Sequence, residues 1–270
     1  MKYVSKKADL GSNVKIGTGS IIEDNADIGD NVRIGYYTII HENVRVGDNT
    51  FLGDNVVLGE RTQEFYEDPD RYDSPPLTIG SGSIIRTGSI IYSGAEIGNH
   101  LNTGSYALIR NNAHLGDHNL VGSYAEIHPG VKMGKNSRVL DWACMGHKTV
   151  VGNYVWIGPY AATIPDLHPP CGRCVQGATI DDYAVIGAGA MLLHKVRIGS
   201  NAIVAANSLV TKDVKENTLV KGSPAQYVCD IRSIKCKEGL IEAPYPWMKN
   251  ITPEKVKRYG YDSRNRQKRK

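Results

Sequence analysis

An aliphatic residue recurs every six positions from Val4 onward, with Leu10, Ile16, Ile22, Ile28, Ile34, Ile40, Val46, Leu52 and Leu58 in phase. The beat resumes at Ile79, runs to Ile157 with one miss at Thr103, and returns from Ile180 to Val210. A short fixed period over most of a chain defines a solenoid, whose neighbouring turns bury one continuous core. Four residues after each aliphatic stands a small or β-branched residue, such as Ser20, Ala26, Val32, Thr38, Val44 and Thr50. Gly often follows the aliphatic directly, as in Ile16-Gly17, Ile28-Gly29 and Val46-Gly47. This double beat is the hexapeptide pattern of a parallel β-helix, in which three hexapeptides close a triangular coil and both beats point inward. The expected fold is therefore all-β. Its solenoid covers residues 1–228, with loops at 60–76 and 163–178, and a short helical or irregular tail occupies 229–270.

Composition fits a narrow prism: fifteen Tyr against two Phe, because rings find little room inside and Tyr can stay in water. There is no N-terminal apolar run and no stretch of about twenty apolar residues, so neither a signal peptide nor a membrane span is expected. The odd count of five Cys suits reduced thiols in a cytoplasm. The net charge of +4 is concentrated at the C-terminus, where Arg264, Arg266, Lys268, Arg269 and Lys270 stand. Without those five the chain carries −1, so its body is not a nucleic-acid surface. The basic end reads either as a frayed terminus or as a contact for an anionic surface.

Residues 60–76 are polar, acidic and Tyr-rich and end in Pro-Pro, so they must leave the prism. A second break contains Pro165-Asp166-Leu167-His168-Pro169-Pro170-Cys171. Loops on a rigid scaffold commonly hold ligands, and tolerated insertion is the competing reading. The tail is expected to cover strand edges at the open end, with a short helix after Thr252-Pro253.

Residues flanking an inward aliphatic on a strand both point outward. Glu126 and His128 flank Ile127 and so share an outer face. One coil away, Arg110 stacks on one side of His128 and Gly146 on the other, while Leu108 and Cys144 join the column of Glu126. A carboxylate, an imidazole and a guanidinium together suit proton transfer or the grip of a polar substrate; a solvated or intersubunit ion cluster is the alternative. His114, His118 and His128 raise a zinc hydratase like the γ-class carbonic anhydrases, which needs imidazoles converging about 2 Å from one point. The four-residue spacing of His114 and His118, one outward and one at a corner, does not suit that site. Cys171 and Cys174 form a lone CxxC, which with His168 could hold a metal or simply be two thiols. No metal is expected.

Residues 77–112, with their IRTG, NTG and IRNN segments, resemble the hexapeptide-class nucleotide-sugar N-acetyltransferases. The likeness extends through DLHPPC at 166–171, residues 186–228 and PYPW at 244–247. Among these it is closest to enzymes acetylating the 3-amino group of dTDP-linked 3-amino-3,6-dideoxyhexoses. The resemblance implies a left-handed parallel β-helix, an exception to the usual right-handed crossover. It also implies a homotrimer with sites between subunits, acetyl-CoA as donor and a role in polysaccharide biosynthesis. It places the loop around Asp166 and the outward residues Arg86, Asn102, Arg110 and Glu126 near the acceptor sugar, and Trp156 is a further substrate-binding candidate. Pro165 departs from the family pattern, which carries Asn before the Asp, and His128 has no secure counterpart there.

Such a transferase needs little from its protein: alignment of a neutral amine with a thioester and backbone N–H groups for the oxyanion. Glu126, His128 and Asp166 are the catalytic candidates. Gly146, Gly187, Ala188, Ala205 and Ala206 offer a smooth groove for pantetheine, and Lys195, Arg197 and Lys212 offer charge to CoA phosphates. O-acetyl transfer by the same fold, the metal-dependent hydratase and a structural rod are the competing functions. The irregular outward column Tyr92, Arg110, His128, Gly146 argues against the rod.

Overall fold

The computed structural model describes residues 2–170, 172–239 and 244–245. Short strands are dealt in rotation to three sheets. Face I has eleven strands, from Tyr3–Val4 to Leu209–Val210; face II has ten, from Asp9–Leu10 to Arg197–Ile198. Face III has twelve, from Lys15–Ile16 to Gln226–Asp230. Except for the last pair of face III, pairing along each face is parallel and one coil apart, as where Glu126 sits between Leu108 and Cys144. The chain thus turns three edges per coil, I/II, II/III and III/I, and this decides where each outward side chain lies.

The sixfold aliphatics form the core. Ile22, Ile40, Leu52, Leu58, Ile85, Ile91, Ile109 and Ile127 are wholly buried, whereas Val4, Leu10 and Ile16 in the first described coil are only half-buried. The second inward beat is small because it sits at the corners, and its hydroxyls take up carbonyls there. Ser20 Oγ donates to Gly35 O, Thr38 Oγ1 to Gly53 O and Ser137 Oγ to Gly152 O, each at 2.8 Å. Asp30, Asp48 and Asp54 serve the corners from outside, each accepting from a backbone N–H eighteen residues back. These three carboxylates are therefore structural.

Both insertions leave the ladder intact, with Val57 paired to Ile90 and Val150 to Thr179 across them. Each loop is slightly shorter than expected. Glu60 still pairs with Tyr92, and Thr163 with Leu192. The first loop also contains an unforeseen helix, Gln63–Glu67. Arg61 ties this loop to the coils, its Nη2 lying 3.3 Å from Glu23 and 3.4 Å from Glu42. At the far end Gln226–Asp230 pairs antiparallel with Thr218–Lys221, covering the edge of face III and straddling the boundary expected at 228. A 3₁₀ turn, Ile231–Ser233, follows. Cys171, Trp247, the helix expected after Thr252 and the basic end lie outside the described residues.

Candidate active site

Glu126 and His128 leave face I at the I/II edge, where His128 Nε2 is 3.1 Å from Glu126 Oε2. The neighbouring coil adds Cys144, whose Sγ lies 3.5 Å from the same nitrogen. His147 closes the other side of the ring, with the two Nδ1 atoms 3.4 Å apart. Burial, and then the charges of His128, Arg110 and Lys148, hold His147 below the usual histidine range. Burial first, and then Glu126, push the Cys144 thiol up to about 11. Cys144 is thus a protonated thiol at neutral pH. Glu126 and Cys144 both meet Nε2, so the three do not form a nucleophilic relay, which needs its orienting carboxylate on the opposite ring nitrogen.

Arg110 is on this edge one coil before His128, but its guanidinium turns to Tyr92, 5.2 Å from the ring centroid. Its Nε is shielded from water and has no acceptor. On the other side Gly146 is buried, so it does not form part of an open pantetheine groove. A Cβ there would stand 2.5 Å from Thr163 O and 2.8 Å from Pro165 Cδ. This packing accounts for Pro165, whose carbonyl also accepts from Gln176 N at 2.9 Å and meets His194 Nδ1 at 2.8 Å. The Asp166 loop therefore emerges on the same edge as His128. Asp166 itself is turned to its own loop, accepting from the backbone N–H groups of His168 at 3.0 Å and Gly172 at 3.2 Å. Its geometry is that of a loop organiser rather than of a free catalytic carboxylate.

Arg86 and Asn102 do meet, but at the III/I edge, across face I from His128. Arg86 Nη1 is 2.5 Å from Asn102 Oδ1 and also bonds Thr103 O. The missed beat at Thr103 explains this contact. Its hydroxyl accepts the Arg86 N–H at 2.8 Å, leaving the carbonyl for the guanidinium. Trp156 stands in the outward column of Asn102 on face III, beyond Leu120 and Arg138, and joins neither cluster. Arg138 lies over its ring at 5.8 Å.

The donor-side residues also separate. Gly187, Ala188, Ala205 and Ala206 turn the III/I edge, where Gly187 lies so close to Ala206 that a Cβ would be 2.4 Å from its backbone nitrogen. Lys195 and Lys212 are exposed at the I/II edge. Arg197, on face II, is committed to Asp181 at 2.8 Å and is not a free cation. His114 pairs with Glu96 at 3.1 Å on face II, and His118 stacks on His100 at the II/III edge. Within the chain, neither imidazole converges with His128.

Sequence reasoning missed His147 and an exposed aromatic row. Tyr106, Tyr124, Trp142 and Tyr160 stack along the III/I edge with centroids 5.2, 4.3 and 6.2 Å apart. Their common eighteen-residue spacing was the available signal. All four hold a positive φ near 60°, which bulky residues seldom adopt. Stacking of about 0.5–1.5 kcal/mol per pair offsets part of that strain.

The bacterial transferase hexapeptide (six repeats) profile matches residues 7–41, 25–60 and 177–212, at both ends of the solenoid. A 2,3,4,5-tetrahydropyridine-2,6-dicarboxylate N-acetyltransferase of Staphylococcus aureus (strain bovine RF122 / ET3-1) is 36% identical over 93 residues, covering 34% of this chain and 38% of that protein. A galactoside O-acetyltransferase of Lactococcus lactis subsp. lactis (strain IL1403) is 36% identical over 81 residues, or 27% of this chain and 39% of the relative. The match thus spans less than half the length of each curated relative. Among solved structures, a UDP-N-acetylglucosamine acyltransferase from Campylobacter jejuni aligns over 96% of this chain and 80% of its own, at TM-score 0.47 and 17% identity. A hexapeptide-repeat acetyltransferase from Vibrio cholerae O1 biovar eltor, solved with acetyl coenzyme A, covers 51% of this chain and 70% of its own, at TM-score 0.37 and 22% identity. The chain is a hexapeptide-repeat β-helix, and its curated relatives are acetyltransferases. Among the described residues no helix is long and apolar enough to cross a membrane.

Proposed function

We propose that this protein is a cytoplasmic, homotrimeric acyltransferase that moves an acetyl group from acetyl-CoA to the amino group of a nucleotide-linked amino sugar. The observation that carries the reading is the Glu126–His128 pair, outward and within 3.1 Å, on a solenoid whose repeat matches the hexapeptide transferases. With His128 donating Nε2–H to one carboxylate oxygen, the second oxygen of Glu126 is available to accept from an amino group. The amine nitrogen attacks the thioester carbonyl, the C–N bond forms, and the C–S electron pair leaves with sulfur. The departing CoA thiolate then takes the proton released from nitrogen. His128 orients Glu126 in this scheme, because its Nδ1 faces His147 and is poorly placed to act as the base. Alignment supplies most of the acceleration.

The acceptor cluster and the small-residue column border face I on opposite sides. A donor on Ala188 and Ala206 would therefore need an acceptor cluster brought by another copy, which supports the trimer. Purified protein given acetyl-CoA and a panel of amino-sugar nucleotides should release CoA and yield an acetylated amine by mass spectrometry. Turnover only with hydroxyl acceptors would replace this reading with O-acetyl transfer, as in the galactoside relative. No turnover with any acceptor would overturn it.

A further inference from the structure

We infer that Glu126, His128 Nε2 and Cys144 Sγ form a binding site for a thiophilic divalent cation of the zinc class. Their ligand atoms all lie within 4.8 Å of one another. Tetrahedral zinc with bonds of about 2.0 Å to N or O and 2.3 Å to S places a neighbouring N and O roughly 3.3 Å apart, and N and S roughly 3.5 Å apart. The corresponding separations here are 3.1 and 3.5 Å. Two edges of the coordination tetrahedron are therefore already in place.

The backbone sets these positions. Glu126 and Cys144 are register partners on adjacent strands of face I, and His128 follows Glu126 on the same side. The ring contact at His128 Nδ1 comes from His147, which fixes the imidazole as outer partners of metal-bound histidines do. Mixed carboxylate, imidazole and thiolate donors select zinc-like ions over magnesium. Entry is open along a groove lined by Tyr106, Leu108, Tyr124 and Trp142, which leaves a fourth position for water. On binding, the Cys144 S–H bond breaks and its proton passes to solvent, the His128 ring proton moves by way of solvent from Nε2 to Nδ1, where it faces His147, and metal–sulfur and metal–nitrogen bonds form. Arg110, the nearby cation, is turned away onto Tyr92. Among the described residues the second convergent set, Glu23, His41 and Glu42, lacks this openness because Arg61 already lies against both carboxylates.

Metal binding does not depend on the acyl-transfer reading and is measured without acetyl-CoA or acceptor. Titration of the full chain with Co²⁺ should produce a thiolate-to-cobalt charge-transfer band that Zn²⁺ abolishes and Mg²⁺ leaves unchanged. The band should vanish in Cys144→Ser, and cobalt affinity should fall at least tenfold in His128→Ala, with circular dichroism unaltered. X-ray absorption of the zinc-loaded wild type, which requires no variant, should show one sulfur and otherwise nitrogen or oxygen ligands. A wild type without the band, a band surviving Cys144→Ser, or a zinc shell with no sulfur or with several would overturn the proposal.

Discussion

The backbone N–H of Gly146 donates to the hydroxyl of Thr163 at 2.7 Å, inside the core and directly beneath the His128 cluster. Thr149 Oγ1 meets the same hydroxyl at 2.7 Å and bonds Gly146 O at 2.7 Å. This buried knot lets the chain leave face I after Thr163 without orphaning the Gly146 N–H.

Thr163→Val keeps the shape and removes the acceptor, leaving a buried donor at a cost of about 1–3 kcal/mol. The urea midpoint should fall with an unchanged m-value. Gly146→Ala should be at least as damaging, because its methyl meets backbone and the Pro165 ring rather than a flexible tip. Wild-type stability in both variants would show that the knot adds nothing.

His128→Ala should lower kcat by about tenfold or less, since the thiolate can accept the amine proton. A dedicated general base contributes about 10²–10⁴-fold. A loss in that larger range with the fold intact would assign His128 the proton after all. Glu126→Gln, by contrast, should impair KM for the amine more than does His128→Ala, because it removes the charge facing the acceptor.

Cys144 should resist alkylation. With its thiol near 11, it holds about a hundredfold less thiolate at pH 8 than an ordinary cysteine of about 8.5–9. Iodoacetamide followed by peptide mass spectrometry should therefore label exposed Cys174 well before Cys144. Glu126→Gln removes the second cause of the shift and should speed Cys144 labelling, while burial, the larger cause, keeps it below that of Cys174. Equal labelling in the wild type would contradict the assignment.

The sixfold beat made the core and the outward direction of Glu126 and His128 legible, because strand alternation depends only on phase. The stacking of Arg110, Cys144 and Gly146 around that pair followed from coil length. Side-chain commitments were hidden. Arg86 reads as a free outward cation until Asn102 Oδ1 and the carbonyl of the in-phase Thr103 are seen to accept from its guanidinium. Arg197 reads likewise until Asp181 is placed beside it. His147 escaped because it stands past a corner, where alternation no longer tells direction. Asp166 looked available because no pattern reveals a carboxylate folding back on its own loop.

Asp166 therefore carries a revised expectation. Asp166→Asn keeps one acceptor for the loop backbone and loses the charge-assisted part of two bonds, which typically contribute about 1.5–3 kcal/mol. Proteolysis within residues 164–178 should quicken while the solenoid's thermal midpoint holds. Loss of turnover by one to two orders of magnitude without faster cleavage would instead place Asp166 on the substrate.

The edge geometry makes the strongest demand on assembly. Glu126 pairs with Cys144, Cys144 with Ala162, Ala162 with Met191 and Met191 with Leu209, so Ala188 and Ala206 turn the III/I edge three and four coils further on. At ladder spacing that is roughly 14–19 Å along the axis, besides the width of face I. A β-helix closed by backbone hydrogen bonds on every face cannot fold to shorten that path. Turnover should consequently follow the trimer population on dilution, read by light scattering beside product formation. Mixing His128→Ala chains with chains carrying Ala188→Trp, which blocks the proposed donor groove, should raise activity above the mean of the two variants assayed separately at the same total concentration. Full activity in a monomeric fraction would show that one chain closes the site by itself and would remove the reason for placing donor and acceptor on different copies.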